Sequence, residues 1–363
     1  MSNDNDVKIL EWDEHIRLRP GMYVGKHGDG SDADDGLYVL LKEVIDNSID
    51  EYRFGYGKEI VINLEGNRLT VRDYGRGIDF DRLTNFKQSL MNSNDKESLP
   101  NKSVGLTGVG FLTVIALSSE ATIISYQKEL MKRVTTSRGK IVSIEETQST
   151  NEHDGLSLSF IPDNQIFEHY KIRVNYIRNM LKDYAACNPG IMLRFDNDTF
   201  YAPDGMLSLV NDLSGNADSH GAIHIVDDLC DIAIVPANNP GEGLIQSFVN
   251  GHPTIMGGTH VRTLVDVIYA GLKKHISHKI LKCDIPADLT MCINITIKDP
   301  QFESCTKTRL ASRDMNEGGK SIKQYVSELI DANLQKQFDF NPVAKRAVIQ
   351  MFNQINSLSY NNV

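Results

Sequence analysis

Residues 40–51 read LLKEVIDNSIDE, and the rest of the chain is organised around them. At about 100° of rotation per residue, Leu37, Leu41, Val44 and Ile45 share one helical face, while Glu43, Asn47, Asp50 and Glu51 fall on the opposite one. A carboxylate one turn from a carboxamide can hold a water and a hard cation side by side, because glutamate accepts protons and an amide oxygen suits Mg2+. An ordinary amphipathic helix with a solvated acidic face would carry the same letters. The motifs downstream of this helix decide between the two.

With 363 residues and 40% apolar content, the chain can bury substantial cores. We expect two domains, residues 1–212 and 213–363, divided in the polar, glycine-containing stretch Asn211 to Gly221. No run approaches the roughly 18 apolar residues of a membrane span. The opening MSNDNDVKIL has no apolar signal core, so a cytosolic protein with no membrane partner is expected. Cys187, Cys230, Cys283, Cys292 and Cys305 are an odd number without a C-x-x-C pair, which points to free thiols and away from a disulfide framework or structural zinc. A formal charge of −10 argues against indiscriminate coating of nucleic acid. The clearest basic patch, LKKHISHKILK at Leu272 to Lys282, reads equally as a solvated helix face or a DNA-facing one.

A short helix is expected over Glu11 to Arg17, then a helix-breaking turn at Arg19-Pro20-Gly21-Met22-Tyr23 and a loop from Lys26 to Asp35. Past the central helix, Glu59 to Leu64 and Leu69 to Asp73 alternate like two strands around Glu65-Gly66-Asn67. The second strand runs into Asp73-Tyr74-Gly75-Arg76-Gly77-Ile78, where glycines would let backbone press on a flat ligand and the acid could accept from an exocyclic amine. Gly105-Leu106-Thr107-Gly108-Val109-Gly110 then opens an apolar helical stretch through Ala116, with Lys102 just ahead. Glycine-rich backbone at a helix N-terminus is a phosphate cradle. No strand precedes these glycines and no G-K-[ST] follows, which excludes a Rossmann fingerprint and a P-loop.

Strands are expected over Ala121–Gln127, Met131–Thr136, Ile141–Glu146 and Leu156–Ile161, then a helix over Tyr170–Ala186 and a strand over Ile191–Phe195. The second half offers strands at Ile223–Val226, Ile232–Val235, Ile245–Val249 and Met291–Lys298. Helices are expected from His260, over Ile322–Gln337 and over Pro342–Asn356, with a loop at Asp299–Thr308.

The order E-x-x-x-N, D-x-G-x-G, G-x-x-G-x-G resembles the Bergerat (GHKL) ATP-binding fold of type II topoisomerases, Hsp90, MutL proteins and histidine kinases. Arg19 to Tyr23, Gly257-Gly258-Thr259-His260 and Asp299 to Leu310 (DPQFESCTKTRL) narrow the resemblance to bacterial gyrase B and topoisomerase IV B subunits over residues 11 to 356. The fold it implies is α+β: a Bergerat ATPase sandwich followed by a smaller transducer domain of ribosomal S5 domain 2-like type. By that likeness Glu43 is the general base and Asn47 the Mg2+ ligand. Asp73 reads adenine, and Asp50, Glu51, Arg76, Gly77 and Ile78 line its pocket. Gly105, Leu106, Thr107, Gly108, Val109 and Gly110 wrap the phosphates of ATP, Lys102 sits in the lid, and Lys307 reaches the γ-phosphate. The implied partners are a second copy on ATP binding, double-stranded DNA and a topoisomerase A subunit.

Four positions depart from the family pattern. The arm before Trp12 is short and lacks tyrosine; the lid reads Met91-Asn92-Ser93-Asn94 without glycines; Leu156 stands where the family has threonine; and Cys305 replaces glutamine. These motivate an alternative reading, a diverged nucleotide-binding paralogue with little turnover that acts as a regulatory or interaction protein. A MutL-like or Hsp90-like clamp fits the Gly257 to His260 and Thr306-Lys307 motifs less well.

Overall fold

The computed structural model describes residues 10–86, 109–215, 221–276, 279–304 and 307–360. The chain divides into two compact units, one taking Met1–Asn179 with Ile191–Phe200, the other Met180–Gly190 with Tyr201–Val363.

In the first unit, β1 (Glu59–Glu65) and β2 (Arg68–Asp73) form an antiparallel hairpin in the register Ile60↔Asp73, Ile62↔Val71, Glu65↔Arg68. Side chains alternate across a strand, so Asp73 shares the buried face of Leu69 and Val71. This phase aims a carboxylate inward. The sheet is completed by β3 (Ser118–Gln127), β4 (Leu130–Ser137), β5 (Lys140–Ile144), β6 (Gln148–Ser149), β7 (Gly155–Pro162), β8 (Met192–Phe195) and β9 (Asp198–Phe200). Its order is β5-β4-β3-β7-β2-β1-β8-β9, with β6 beside β4, and β1 pairs in parallel with β8.

Helix Gly36–Arg53 packs on β2 and on helix Val109–Ala116. Its Leu37, Leu41, Val44 and Ile45 are buried as the periodicity requires, but so are Tyr38, Leu40, Asp46, Ser48 and Asp50. The helix is therefore sunk into the unit rather than laid on it. The loop before it is a folded staple: fully buried Asp35 accepts from the backbone N–H groups of Gly30 (2.9 Å) and Asp32 (3.2 Å), and its other oxygen lies 3.4 Å from the Lys26 ammonium.

Three expectations need correction here. Pro20-Gly21 does not abolish helix, because a short helix occupies Gly21–Val24 with Pro20 at φ −61°, ψ −32°, the geometry proline pre-sets for a first turn. The helix expected from Tyr170 starts at Val174, since the N–H groups of Lys171 and Arg173 are already held by Asp29 O (2.8 Å) and Tyr38 Oη (2.9 Å). Helix Met206–Ser214 covers the first residues of the stretch expected to be a polar linker.

The second unit carries β10 (Ile223–Val226), β11 (Cys230–Pro236), β12 (Ile245–Val249), β13 (His252–Pro253) and β14 (Leu289–Ile295) in the order β10-β11-β14-β12-β13. Helix Thr259–Leu272 packs against helix Ile322–Phe340, and Leu264, Ile268, Val326 and Ile330 meet Ile232, Ile234 and Ile293 of the sheet in one core. β14 stops three residues short of Lys298. The Asn250 side chain takes over there, accepting from Ile297 N (2.8 Å) and donating to Ile297 O (2.9 Å) in place of a ladder partner. Helix Pro342–Tyr360 closes the described chain.

The basic run from Leu272 is not a continuous helix face, because the helix ends at Leu272. Lys274 and Lys282 pair with Asp331 and Asp266, and the Lys273 ammonium lies 5.8 Å from the centre of the Tyr269 ring. Among the described residues Cys187, Cys230, Cys283 and Cys292 form no disulfide, while Cys305 lies outside the described residues. Among the described residues, no helix is long and apolar enough to cross a membrane.

His260 sits at the start of helix Thr259–Leu272 with no solvent exposure and its Nε2 3.1 Å from Thr254 Oγ1. Burial lowers its pKa from 6.5 to about 4. The folded state thus resists a proton that the unfolded chain accepts below pH 6.5. Its contribution to stability should be full above that value and decline as the pH falls towards 4, by about 3 kcal/mol on the scale of about 1.4 kcal/mol per pH unit. Urea unfolding from pH 7 to 4 measures this; in His260→Gln, which cannot protonate, that part of the decline should vanish.

Candidate functional site

Three elements converge in the first unit: the end of β2, helix Gly36–Arg53 and helix Val109–Ala116. They meet at a cavity beside the Asp73 carboxylate, which is 5% exposed. Oδ2 accepts from Ser48 Oγ at 3.1 Å, and Oδ1 accepts from Gly75 N at 2.9 Å and Leu156 N at 3.2 Å. Burial pushes the carboxyl pKa up, and the N–H groups of Gly75 and Leu156 and the Ser48 hydroxyl oppose that rise. Leu156 thus supplies a backbone N–H, and Ser48 a hydroxyl, so Asp73 is well satisfied although Leu156 has no side-chain donor.

Beside Asp73 opens a cavity of about 310 Å3. Asn47, Asp50, Glu51, Gly77 and Ile78 line it together with Asp73, so six of the residues expected from sequence meet in one place. Leu83, Phe86, Phe111, Leu112 and Leu156 form an apolar wall, with the Phe86 and Phe111 ring centres 6.2 Å apart. A slot with apolar walls and a buried acceptor at its end suits a flat heteroaromatic ring carrying an N–H donor. A larger cleft of about 920 Å3 involves Lys58, Tyr74, Lys128 and Asp154, but none of its lining residues is buried and its charges are mixed. It offers no comparable acceptor.

Asn47 lines the cavity, and one of its amide N–H groups is taken by Glu43 O at 2.9 Å. An amide oxygen is a hard donor that fits a cation such as Mg2+. Glu43 packs on the neighbouring helix: a Cβ added at Gly110 would lie 1.8 Å from Glu43 Oε2. Only glycine admits the carboxylate so close to the start of helix Val109–Ala116. Glu51 and Arg76 are committed to each other. Arg76 donates to Glu51 from its backbone N (2.9 Å), Nε (3.0 Å) and Nη2 (2.8 Å), and its guanidinium lies 4.5 Å from the Tyr56 ring centre.

Other expected residues stand apart. Val109 lines a separate cleft with Trp12, His15, Ile16 and Tyr23, because its position on the helix turns it away from Phe111. Lys102, Gly105, Leu106, Thr107, Gly108 and the lid Met91–Asn94 lie outside the described residues. Lys307 belongs to the second unit, at φ +57°, with Nζ 3.2 Å from His252 Nε2. Ser48, Phe86 and Phe111 were not expected. Ser48 had a signal, a hydroxyl one turn after Val44 on the buried stripe. The two phenylalanines had none beyond being apolar.

The profile of the family "Histidine kinase-, DNA gyrase B-, and HSP90-like ATPase" matches residues 37–158, and that of "DNA gyrase B" matches residues 207–357. The B subunit of DNA topoisomerase 4 from Borreliella burgdorferi is 35% identical over 90% of this chain and 55% of its own length. The B subunit of DNA gyrase from Thermotoga maritima is 28% identical over 94% and 58%. Among solved structures, the 43K ATPase domain of Thermus thermophilus gyrase B in complex with an aminocoumarin aligns with a TM-score of 0.66 at 23% identity, covering 97% of this chain and 98% of that one. The ATPase and transducer domains of DNA topoisomerase II from Balamuthia mandrillaris align with a TM-score of 0.70 at 21% identity, covering 96% and 99%. These two likenesses concern the fold. The chain spans about half the length of the curated relatives it matches. With both profiles in chain order and six of the expected residues lining one cavity, the chain belongs to the gyrase B and topoisomerase IV B family of GHKL ATPases.

Proposed function

We propose that the cavity beside Asp73 binds ATP and that the first unit hydrolyses it, as the energy-converting module of a type II topoisomerase B subunit. The observation that supports this reading most directly is the buried Asp73 carboxylate, held by three donors at the end of an apolar slot. An ionised carboxylate only accepts hydrogen bonds, so it selects a ring that presents an N–H, as adenine does through its exocyclic amine. Ser48, Gly75 and Leu156 orient it, and Phe86, Phe111 and Leu156 hold the ring out of water.

Asn47 would hold Mg2+ through its amide oxygen; when bound, the ion offsets charge on the phosphates. Glu43, against the first turn of helix Val109–Ala116, is assigned the proton of the attacking water. Lys102 and residues 105–110 are assigned to the phosphates. Lys307 is assigned to the γ-phosphate, where a compact ammonium stabilises the transferring group and registers its departure. Residues 1–212 then form the ATPase domain and 213–363 the transducer. Two copies would close on ATP around double-stranded DNA, with an A subunit supplying cleavage.

Turnover and binding test separate parts of this reading. Glu43→Ala should lower kcat at least about a hundredfold, the usual worth of a general base. Its affinity for a non-hydrolysable ATP analogue should change by no more than about threefold; equal turnover in both proteins removes Glu43 from the mechanism.

Asp73→Asn should weaken the same analogue at least about tenfold, since a charged acceptor is replaced by a partial donor. Because burial raises the Asp73 pKa, wild-type affinity should fall on acidification at a pH above 3.8, the ordinary carboxylate value, and recover as the group ionises. Calorimetric titration from pH 8 down towards pH 4 measures both effects.

A further inference from the structure

Among the described residues, no strand pairs through its backbone with the loop that follows Asp73. Its polar groups are held by side chains instead. Gly75 N donates to Asp73 and Arg76 N to Glu51. Further hydrogen bonds come from β3, two strands away from β2 in the sheet.

Ser125 is the centre of those contacts. It lies on β3 with no solvent exposure, in the inward phase of Ala121 and Ile123. Its Oγ accepts from Ile78 N at 2.9 Å and donates to Ile78 O at 2.6 Å, so one hydroxyl satisfies both backbone groups of a residue that lines the cavity. Two residues on, Gln127 Nε2 donates to Arg76 O at 3.0 Å. Between them Gly77, at φ +71°, presses onto β3, where an added Cβ would lie 2.8 Å from Ser125 Oγ and 2.9 Å from Tyr126 O. Side chains of β3 thus replace a strand partner for Arg76 and Ile78.

We propose that Ser125, assisted by Gln127, is a positioning residue for the ring end of the nucleotide cavity. It fixes the height of Gly77 and Ile78 against the slot that Asp73 closes, and it touches neither the ring nor the phosphates itself. This inference rests on the nucleotide reading above. Its specific content is a division of labour. Losing the Ser125 hydroxyl leaves the part-buried N–H and C=O of Ile78 without their protein partners, so the loop should rise from β3 and loosen its hold on the base. Asn47, which lines the cavity from the central helix, should be untouched.

The test compares wild type, Ser125→Ala and Gln127→Ala by calorimetric titration with a non-hydrolysable ATP analogue and with inorganic tripolyphosphate. Hydrogen exchange at the Ile78 amide and thermal unfolding are measured alongside. Ser125→Ala should weaken the analogue about tenfold, leave tripolyphosphate affinity within about twofold, and raise KM for ATP with kcat nearly kept. Ile78 N–H should exchange faster without a matching fall in global stability. Gln127 is only half-buried, so Gln127→Ala should fold normally and weaken the analogue about twofold to threefold, while Ser125→Cys, which keeps the packing with a weak donor, should fall between wild type and Ser125→Ala. Unchanged analogue binding in Ser125→Ala, or an equal loss for tripolyphosphate, overturns the role of Ser125. A folded wild type that binds no nucleotide overturns instead the reading of the cavity on which it rests.

Discussion

One buried carboxylate organises the first unit. Asp73 lies inward because β2 alternates, and an ionised group in that position is tolerable only if its oxygens are met by donors. Three elements supply them: Ser48 from the central helix, Gly75 from the following loop and Leu156 from β7. The helix must therefore sit deep enough for Ser48 to reach, which is why Asp46, Ser48 and Asp50 are buried with the apolar stripe. The depth of that helix then sets where Glu43 and Asn47 stand.

The same requirement runs through the neighbouring contacts. Glu51 binds Arg76 by backbone and guanidinium together, and this ties the last turns of the helix to the loop after β2. Gly110 lets the next helix close on Glu43. Each of these contacts fixes backbone position more than it adds stability, because exposed ion pairs such as Glu51–Arg76 contribute little by themselves. Geometry is what they supply, and a site that must hold a flat ring against one acceptor depends on geometry.

Much of this was legible in the letters, and the reasons are local. The two hairpin strands show period-two alternation and a turn at Glu65-Gly66-Asn67, so β1, β2 and the inward phase of Asp73 follow directly. The E-x-x-x-N spacing places Glu43 and Asn47 one turn apart on any helix. The features that escape a reading of the sequence are long-range. Nothing near Tyr170 announces that the N–H groups of Lys171 and Arg173 are held by Asp29 and Tyr38, and so the helix there starts late. Nothing near Lys298 reveals that Asn250 ends β14 early. Leu156 reads as a lost hydrogen bond only while its side chain is considered without its backbone N–H, which the fold turns onto Asp73.

The parallel pairing of β1 with β8 has a kinetic consequence. Glu59 finds Met192 only after nearly all of the first unit has been made, and residues 180–190, which precede that strand, already belong to the second unit. On the ribosome, the flank of β1 stays unpaired while β2 to β7 emerge and fold. Closing it requires a loop of high sequence separation, the slow class of folding event. Completion of the first unit should therefore wait for synthesis to pass Phe200, and a nascent chain stalled before that point would expose a bare strand edge to other chains.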